Sequence, residues 1–121
     1  MKAFDIGRIG EAAAVLYLLE KKYKVIETNY RVGHREIDII AELPGKIVFV
    51  EVKTRSVHCL LNPQKAVDRR KQMFLVSAAQ EYIQKKKIEK EARFDIICLK
   101  KRKNEMLVVE HIVEAFYAFG G

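Results

Sequence analysis

Several classes of protein are excluded by what this sequence lacks. Cysteine occurs twice, as Cys59 and Cys98, with no CxxC pair and no His/Cys spacing suited to zinc. Cys98 sits in an apolar run and reads as a small buried side chain, in keeping with a reduced, cytoplasmic setting. No apolar stretch approaches the ~20 residues of a membrane helix. The first fourteen residues are broken by Asp5, Arg8 and Glu11, unlike a signal peptide. Repeats, linkers and low-complexity blocks are absent too. These absences predict one cytoplasmic domain over residues 1–121, with no membrane partner.

What is present fits a small globular fold with an anionic partner. Half of the 121 residues are hydrophobic, enough for a core without staples. A chain of this length buries roughly two-thirds of its unfolded surface. The 23 Lys and Arg exceed the 16 Asp and Glu by seven, giving a net charge of +7. Such a surface attracts polyanions, of which nucleic acid is the commonest in the cytoplasm. The same charge would also serve solubility alone.

Apolar spacing at Ile9, Ala12, Ala13, Leu16 and Leu19 predicts a helix from Asp5, its N-cap, to about Tyr23. Strands are predicted at Tyr23–Asn29, Glu36–Glu42, Lys46–Lys53, Arg93–Lys100 and Met106–Ile112. A second helix is predicted to open at Asn62-Pro63 and end near Lys87, with Val67, Phe74, Leu75, Ala78 and Tyr82 as its apolar stripe. Val113–Phe119 reads as a short apolar tail helix. Short connections make the first three strands an antiparallel meander. The second helix permits a crossover to a parallel strand. The result is an α/β fold with a mixed sheet flanked by helices.

The hairpin at Pro44-Gly45 sets the register. If these two form the loop, opposed residues sum to 89, Asp38 lies across from Glu51, and Glu36 across from Lys53. One face then carries Ile37, Ile39, Ala41, Val48, Val50 and Val52. The other carries Glu36, Asp38, Ile40, Phe49, Glu51 and Lys53. Two facing carboxylates ~5 Å apart repel by on the order of 3 kcal/mol at an effective dielectric of ~20. A shared proton, a nearby lysine or a divalent ion would offset this. A solvated strand face with a Glu36–Lys53 pair is the plain alternative.

Asp38, followed after thirteen positions by Glu51-Val52-Lys53, resembles the D…ExK core of restriction-endonuclease-like nucleases. The chain as a whole resembles the bacterial YraN family of uncharacterised proteins, described as distant relatives of archaeal Holliday-junction resolvases. The matching segments are Gly7–Ala13, Asn29–Arg31, Glu36–Ala41, Val48–Arg55, Pro63–Lys71, Arg93–Asp95, His111-Ile112 and Ala115-Phe116. Departures are Arg35 and Asn62, where the family usually has Gly.

The resemblance implies a restriction-endonuclease-like αβββαβ core. It implies catalytic roles for Glu11, Asp38, Glu51 and Lys53, with Mg²⁺ or Mn²⁺ held by Asp38, Glu51 and the Val52 carbonyl. Lys71 matches a second-helix lysine of the family. Arg55, Arg69 and Arg70, with Lys71, are candidates for phosphate contact. The function so implied is a metal-dependent nuclease on nucleic acid, with branched DNA as substrate and a homodimer joined through the apolar tail. The alternatives are a non-catalytic nucleic-acid-binding module of the same fold, and an interaction protein with incidental charge. His34, His58 and His111 are scattered and are not expected to bind metal.

Overall fold

The computed structural model describes residues 3–54, 67–101 and 107–117. In chain order these form α1 (Ala3–Glu20), β1 (Lys24–Val32), β2 (Arg35–Leu43), β3 (Lys46–Thr54), α2 (Arg69–Lys86), β4 (Glu91–Lys101) and β5 (Leu107–Phe116). One sheet runs β1-β2-β3-β4-β5. The first three strands are antiparallel, β4 lies parallel to β3 across the α2 crossover, and β5 returns antiparallel. The mixed α/β architecture is the one the sequence predicts.

A helix covers each face. Ile39, Ala41, Val48, Val50, Ile97 and Leu99 pack with Ala14 and Leu18 of α1. Ile40, Ile47, Phe49, Phe94, Ile96 and Cys98 pack with Leu75, Ala78, Ala79 and Tyr82 of α2. Near the hairpin turn β2 and β3 are therefore apolar on both sides, as strands buried on both faces must be. Phe49, Phe94 and Phe116 stack across β3, β4 and β5, with ring centres 5.7 and 5.2 Å apart. Cys98 is buried, as expected.

Four sequence expectations need correction. The chain from Val113 to Phe116 continues β5 and forms no tail helix, because Phe116 is needed in the core against Phe94. Helix α2 is capped by Asp68, whose carboxylate accepts from the Lys71 N–H at 2.8 Å, and not by Asn62. Asn62 and Pro63 lie outside the described residues. Helix α1 starts at Ala3, which puts Asp5 inside it.

The fourth correction concerns the buried face of α1. Ile9, Leu16 and Leu19 of the predicted stripe are 44%, 63% and 48% exposed, whereas Gly10, Ala14 and Leu18 are buried. The helix is apolar on most sides, so spacing alone cannot choose a face. Small residues decide it, because they let the backbone approach the sheet. A methyl added at Gly10 would collide with the Thr54 side chain and lie 3.2 Å from Leu99 Cδ1. Gly10→Ala is therefore expected to lower unfolding free energy by about 1–3 kcal/mol in a urea titration, despite alanine's better helix propensity. Unchanged stability would show that α1 can rise off the sheet freely.

A buried polar knot also ties α1 to the sheet. Asp95 on β4 is fully buried, and its Oδ2 lies 2.7 Å from both Arg93 Nη2 and His111 Nε2. Its Oδ1 accepts from Arg93 Nε at 2.9 Å and from the Glu114 N–H at 3.0 Å. Tyr17 of α1 meets His111 Nδ1 at 3.1 Å, and Arg93 donates to Tyr23 at 2.7 Å. Glu114 has a left-handed backbone, φ 55°, as does Asn29 on β1, φ 50°.

Candidate functional site

The acids gather where the hairpin opens. Strands β2 and β3 pair in the expected register from Leu43↔Lys46 to Ile39↔Val50, where the ladder ends. Beyond it the Val52 N–H donates to Asp38 Oδ2 at 2.8 Å. The N–H and C=O of one strand residue point to the same side, so the Val52 carbonyl faces this gap too. The strand also changes phase here. Ile37 packs with the α2 cluster while Ile39, two residues on, packs with the α1 cluster. The single apolar face predicted through Ile37 and Ile39 is thus interrupted at Asp38, which is why the carboxyl turns inward.

Glu51 is 4% exposed, and its Oε1 is buried with no hydrogen-bond partner. Both nearby cations approach the other oxygen: Lys71 Nζ lies 3.6 Å and Lys53 Nζ 4.0 Å from Oε2. Burial, then the hydrogen bond and charge of neighbouring Glu51, push the Asp38 carboxyl up to about 8; the Val52 N–H and Lys71 pull against this. A carboxyl raised this far keeps its proton at neutral pH, and Glu51 Oε1 beside it stays without a hydrogen-bond partner. The predicted repulsion is real, and the fold holds it with a proton and two lysines at long range.

A groove of about 760 Å³ opens beside Asp38 on the α1 side, lined by Gly7, Glu11, Asn29, Glu36 and Ile39 among others. Glu11 thus shares a groove with Asp38. Its Oε2 accepts from Asn29 Nδ2 at 2.7 Å, and the same amide reaches Glu36 at 3.4 Å. No group of three or more His, Cys, Asp or Glu converges as a metal cluster among the described residues.

The other candidates divide. Lys71 reaches the acid pair from α2, 3.6 Å from Glu51. Lys53 turns to Glu51, and Glu36 pairs with Arg31 at 3.9 Å in place of the Glu36–Lys53 contact of the plain alternative. Arg69 and Arg70 are exposed in the first turn of α2. Arg55 and His58 lie outside the described residues. His34 is exposed and His111 belongs to the Asp95 knot. Sequence reasoning missed Asn29 as a neighbour of Glu11. Its signal was an asparagine inside a strand, where that residue is depleted and marks special backbone.

Fold and site together define a mixed α/β protein with a buried glutamate beside a half-buried aspartate, and flanking lysines, at the mouth of a hairpin. The chain belongs to the uncharacterised protein family UPF0102, the YraN family, whose pattern matches residues 10–99. It is similar to a UPF0102 protein of Parabacteroides distasonis, 44% identical over 94% of this chain and 93% of the relative. It is also similar to one of Flavobacterium psychrophilum, 42% identical over 95% and 96%. A third, from Geotalea uraniireducens, is 41% identical over 93% and 89%. None of the described helices is long and apolar enough to cross a membrane.

Proposed function

We propose that this protein is a nuclease hydrolysing phosphodiester bonds of DNA, with Mg²⁺ or Mn²⁺ held by Asp38, Glu51 and the Val52 carbonyl. The observation that carries this reading is the orphaned Glu51 Oε1 beside a carboxyl whose proton is displaceable near neutral pH. An all-oxygen donor set suits these hard ions. When bound, such an ion lowers the pKa of an attached water and offsets charge on the scissile phosphate.

The remaining chemistry belongs to the chain. Lys53, 38% exposed at its side chain and 4.0 Å from Glu51, is free to swing toward the phosphate and stabilise its developing charge. Glu11, anchored by Asn29 at 2.7 Å, is placed to hold a water at the groove mouth when metal and substrate are bound. The net positive charge holds the backbone without reading sequence. Few base-reading side chains are evident, so a structured substrate such as branched DNA suits it better than a sequence motif. This agrees with what the family resemblance implies.

A binding module that does not cut is the second reading, favoured by the lack of a third converging acid among the described residues. The two part in one assay. Purified protein is incubated with duplex, single-stranded and branched DNA, and with RNA, in Mg²⁺, Mn²⁺ or EDTA. Cleavage with a divalent ion alone, with kcat reduced ~10²–10³-fold in Lys53→Ala, supports the nuclease. Retention of DNA without cleavage of any substrate leaves the module.

A further inference from the structure

We infer that Arg35 and Lys71, both held on the ring of Phe74, form a two-cation clamp for the phosphates of the nucleic-acid strand that enters the site. The inference rests on the nucleic-acid reading above and assigns Arg35 a role in it. Arg35 opens β2, three residues before Asp38. Its guanidinium carbon lies 5.4 Å from the centre of the Phe74 ring. Lys71 Nζ, one turn earlier on α2 than Phe74, lies 5.4 Å from the same centre. The two cations are therefore separated by at most about twice that distance. Phe74 is itself fixed, since it packs against the α2-side core.

Two features point to an anion. First, like charges gathered on one ring repel, and the ring's attraction, about 0.5–1 kcal/mol per exposed cation, offsets little of this. A bound phosphate would offset the rest. Second, the neighbouring acids do not neutralise Arg35. Glu36 is taken by Arg31 at 3.9 Å and by Asn29 at 3.4 Å. Glu51 is approached by Lys71 and Lys53. Among the described residues, Arg35 makes no ion pair; its contact is the Phe74 ring. Its guanidinium edge stays open to solvent, with a planar fork of donors that matches phosphate oxygens. The ring restricts that fork before a ligand arrives, which lowers the entropy lost on binding.

The geometry also gives direction. Lys71 touches both the Phe74 ring, at 5.4 Å, and Glu51, at 3.6 Å, whereas Arg35 touches the ring and pairs with neither acid. A strand whose reacting phosphate sits at Asp38 and Glu51 would meet Lys71 first and Arg35 at a neighbouring phosphate. Such contacts fix the strand's position and carry no sequence information.

The test uses the full chain carrying Asp38→Asn, a near-isosteric change that stops cleavage. Binding of a fluorescein-labelled DNA duplex is followed by anisotropy over a range of NaCl concentrations. Adding Arg35→Ala is expected to weaken binding several-fold at low salt. It should flatten the plot of log K against log salt by about 0.9, the value of one lost phosphate contact. Phe74→Leu keeps both charges and releases them, so affinity should fall with the slope unchanged. Arg31→Ala, which removes an exposed arginine already paired with Glu36, is the comparison. If Arg35→Ala binds like Arg31→Ala, with the slope of the parent, the clamp is wrong even though DNA binds. If the parent itself ignores DNA, the clamp and the nucleic-acid reading fail together.

Discussion

Asp38→Asn is expected to reduce metal-dependent cleavage by on the order of 10²-fold or more, while making the metal-free fold more stable at alkaline pH. Both effects come from one carboxyl. An amide can accept from the Val52 N–H and donate to Glu51, so it preserves the shape of the pair. It cannot become the second anion that an ion requires. The pH dependence has a definite sign. Asp38 titrates near 3.8 when unfolded and at about 8 when folded, so the folded state binds more protons in between. Stability supplied by the retained proton is complete below pH ~4 and falls as pH rises toward about 8. The slope is at most ~1.4 kcal/mol per pH unit. Thermal melts in EDTA from pH 5 to 9 should show this loss in wild type and a flatter profile in Asp38→Asn. Adding Mg²⁺ at the alkaline end should raise the wild-type midpoint and leave the variant's unchanged. A wild-type melting point independent of both pH and Mg²⁺ would remove the case for an ion at this pair.

Asp95→Ala is expected to destabilise the fold by roughly 3–5 kcal/mol. The substitution leaves the half-buried Arg93, its side chain 12% exposed, without its carboxylate and with only Tyr23 to bond, and removes the Asp95 oxygens that His111 Nε2 and the Glu114 N–H meet. Burial alone would raise the Asp95 carboxyl, but hydrogen bonds from His111, Arg93 and the Glu114 N–H outweigh it and hold it below the ordinary 3.8. A lowered acid gives stability that is present above pH ~4 and lost as pH falls through the folded value. Wild type should therefore weaken in acid, whereas Asp95→Ala starts lower and loses less. The measurement is urea unfolding at pH 7 and pH 3. Equal stability of the two proteins at pH 7 would show that the knot is replaceable.

Some of this was legible in the sequence because local geometry carries it. The Pro44-Gly45 turn and the alternation around it fix a register that holds from Leu43↔Lys46 to Ile39↔Val50 and leaves Asp38 and Glu51 just beyond its end; their meeting also depends on the break in the ladder at Asp38. The crossover to β4 followed from a helix-length segment between two apolar strands. Other features were hidden because they depend on distant partners. The burial of α1 on Gly10 is decided by Thr54 and Leu99, which are remote in sequence. Asp95 shows nothing of its knot locally, because two of its four donors, His111 and the Glu114 N–H, come from β5, remote in sequence. The continuation of β5 through Phe116 reflects demand from Phe94, whereas Val113–Phe119 taken alone reads as an apolar helix. Arg35 appeared only as a departure from a family glycine, and Phe74 only as core. Their meeting on one ring required the packing of β2 beside α2.

The left-handed residues on the two outer strands have a consequence for association. β1 and β5 are the outer strands of the sheet among the described residues. Each is broken by one such residue, Asn29 and Glu114, near a place where pairing slips against its neighbour. A margin bent in this way offers another chain no straight row of donors and acceptors to add to. Aggregation by strand addition is thereby discouraged on both sides. Straightening either margin, for example by Glu114→Val, should favour fibril-like assembly before it affects any chemistry at the acid pair.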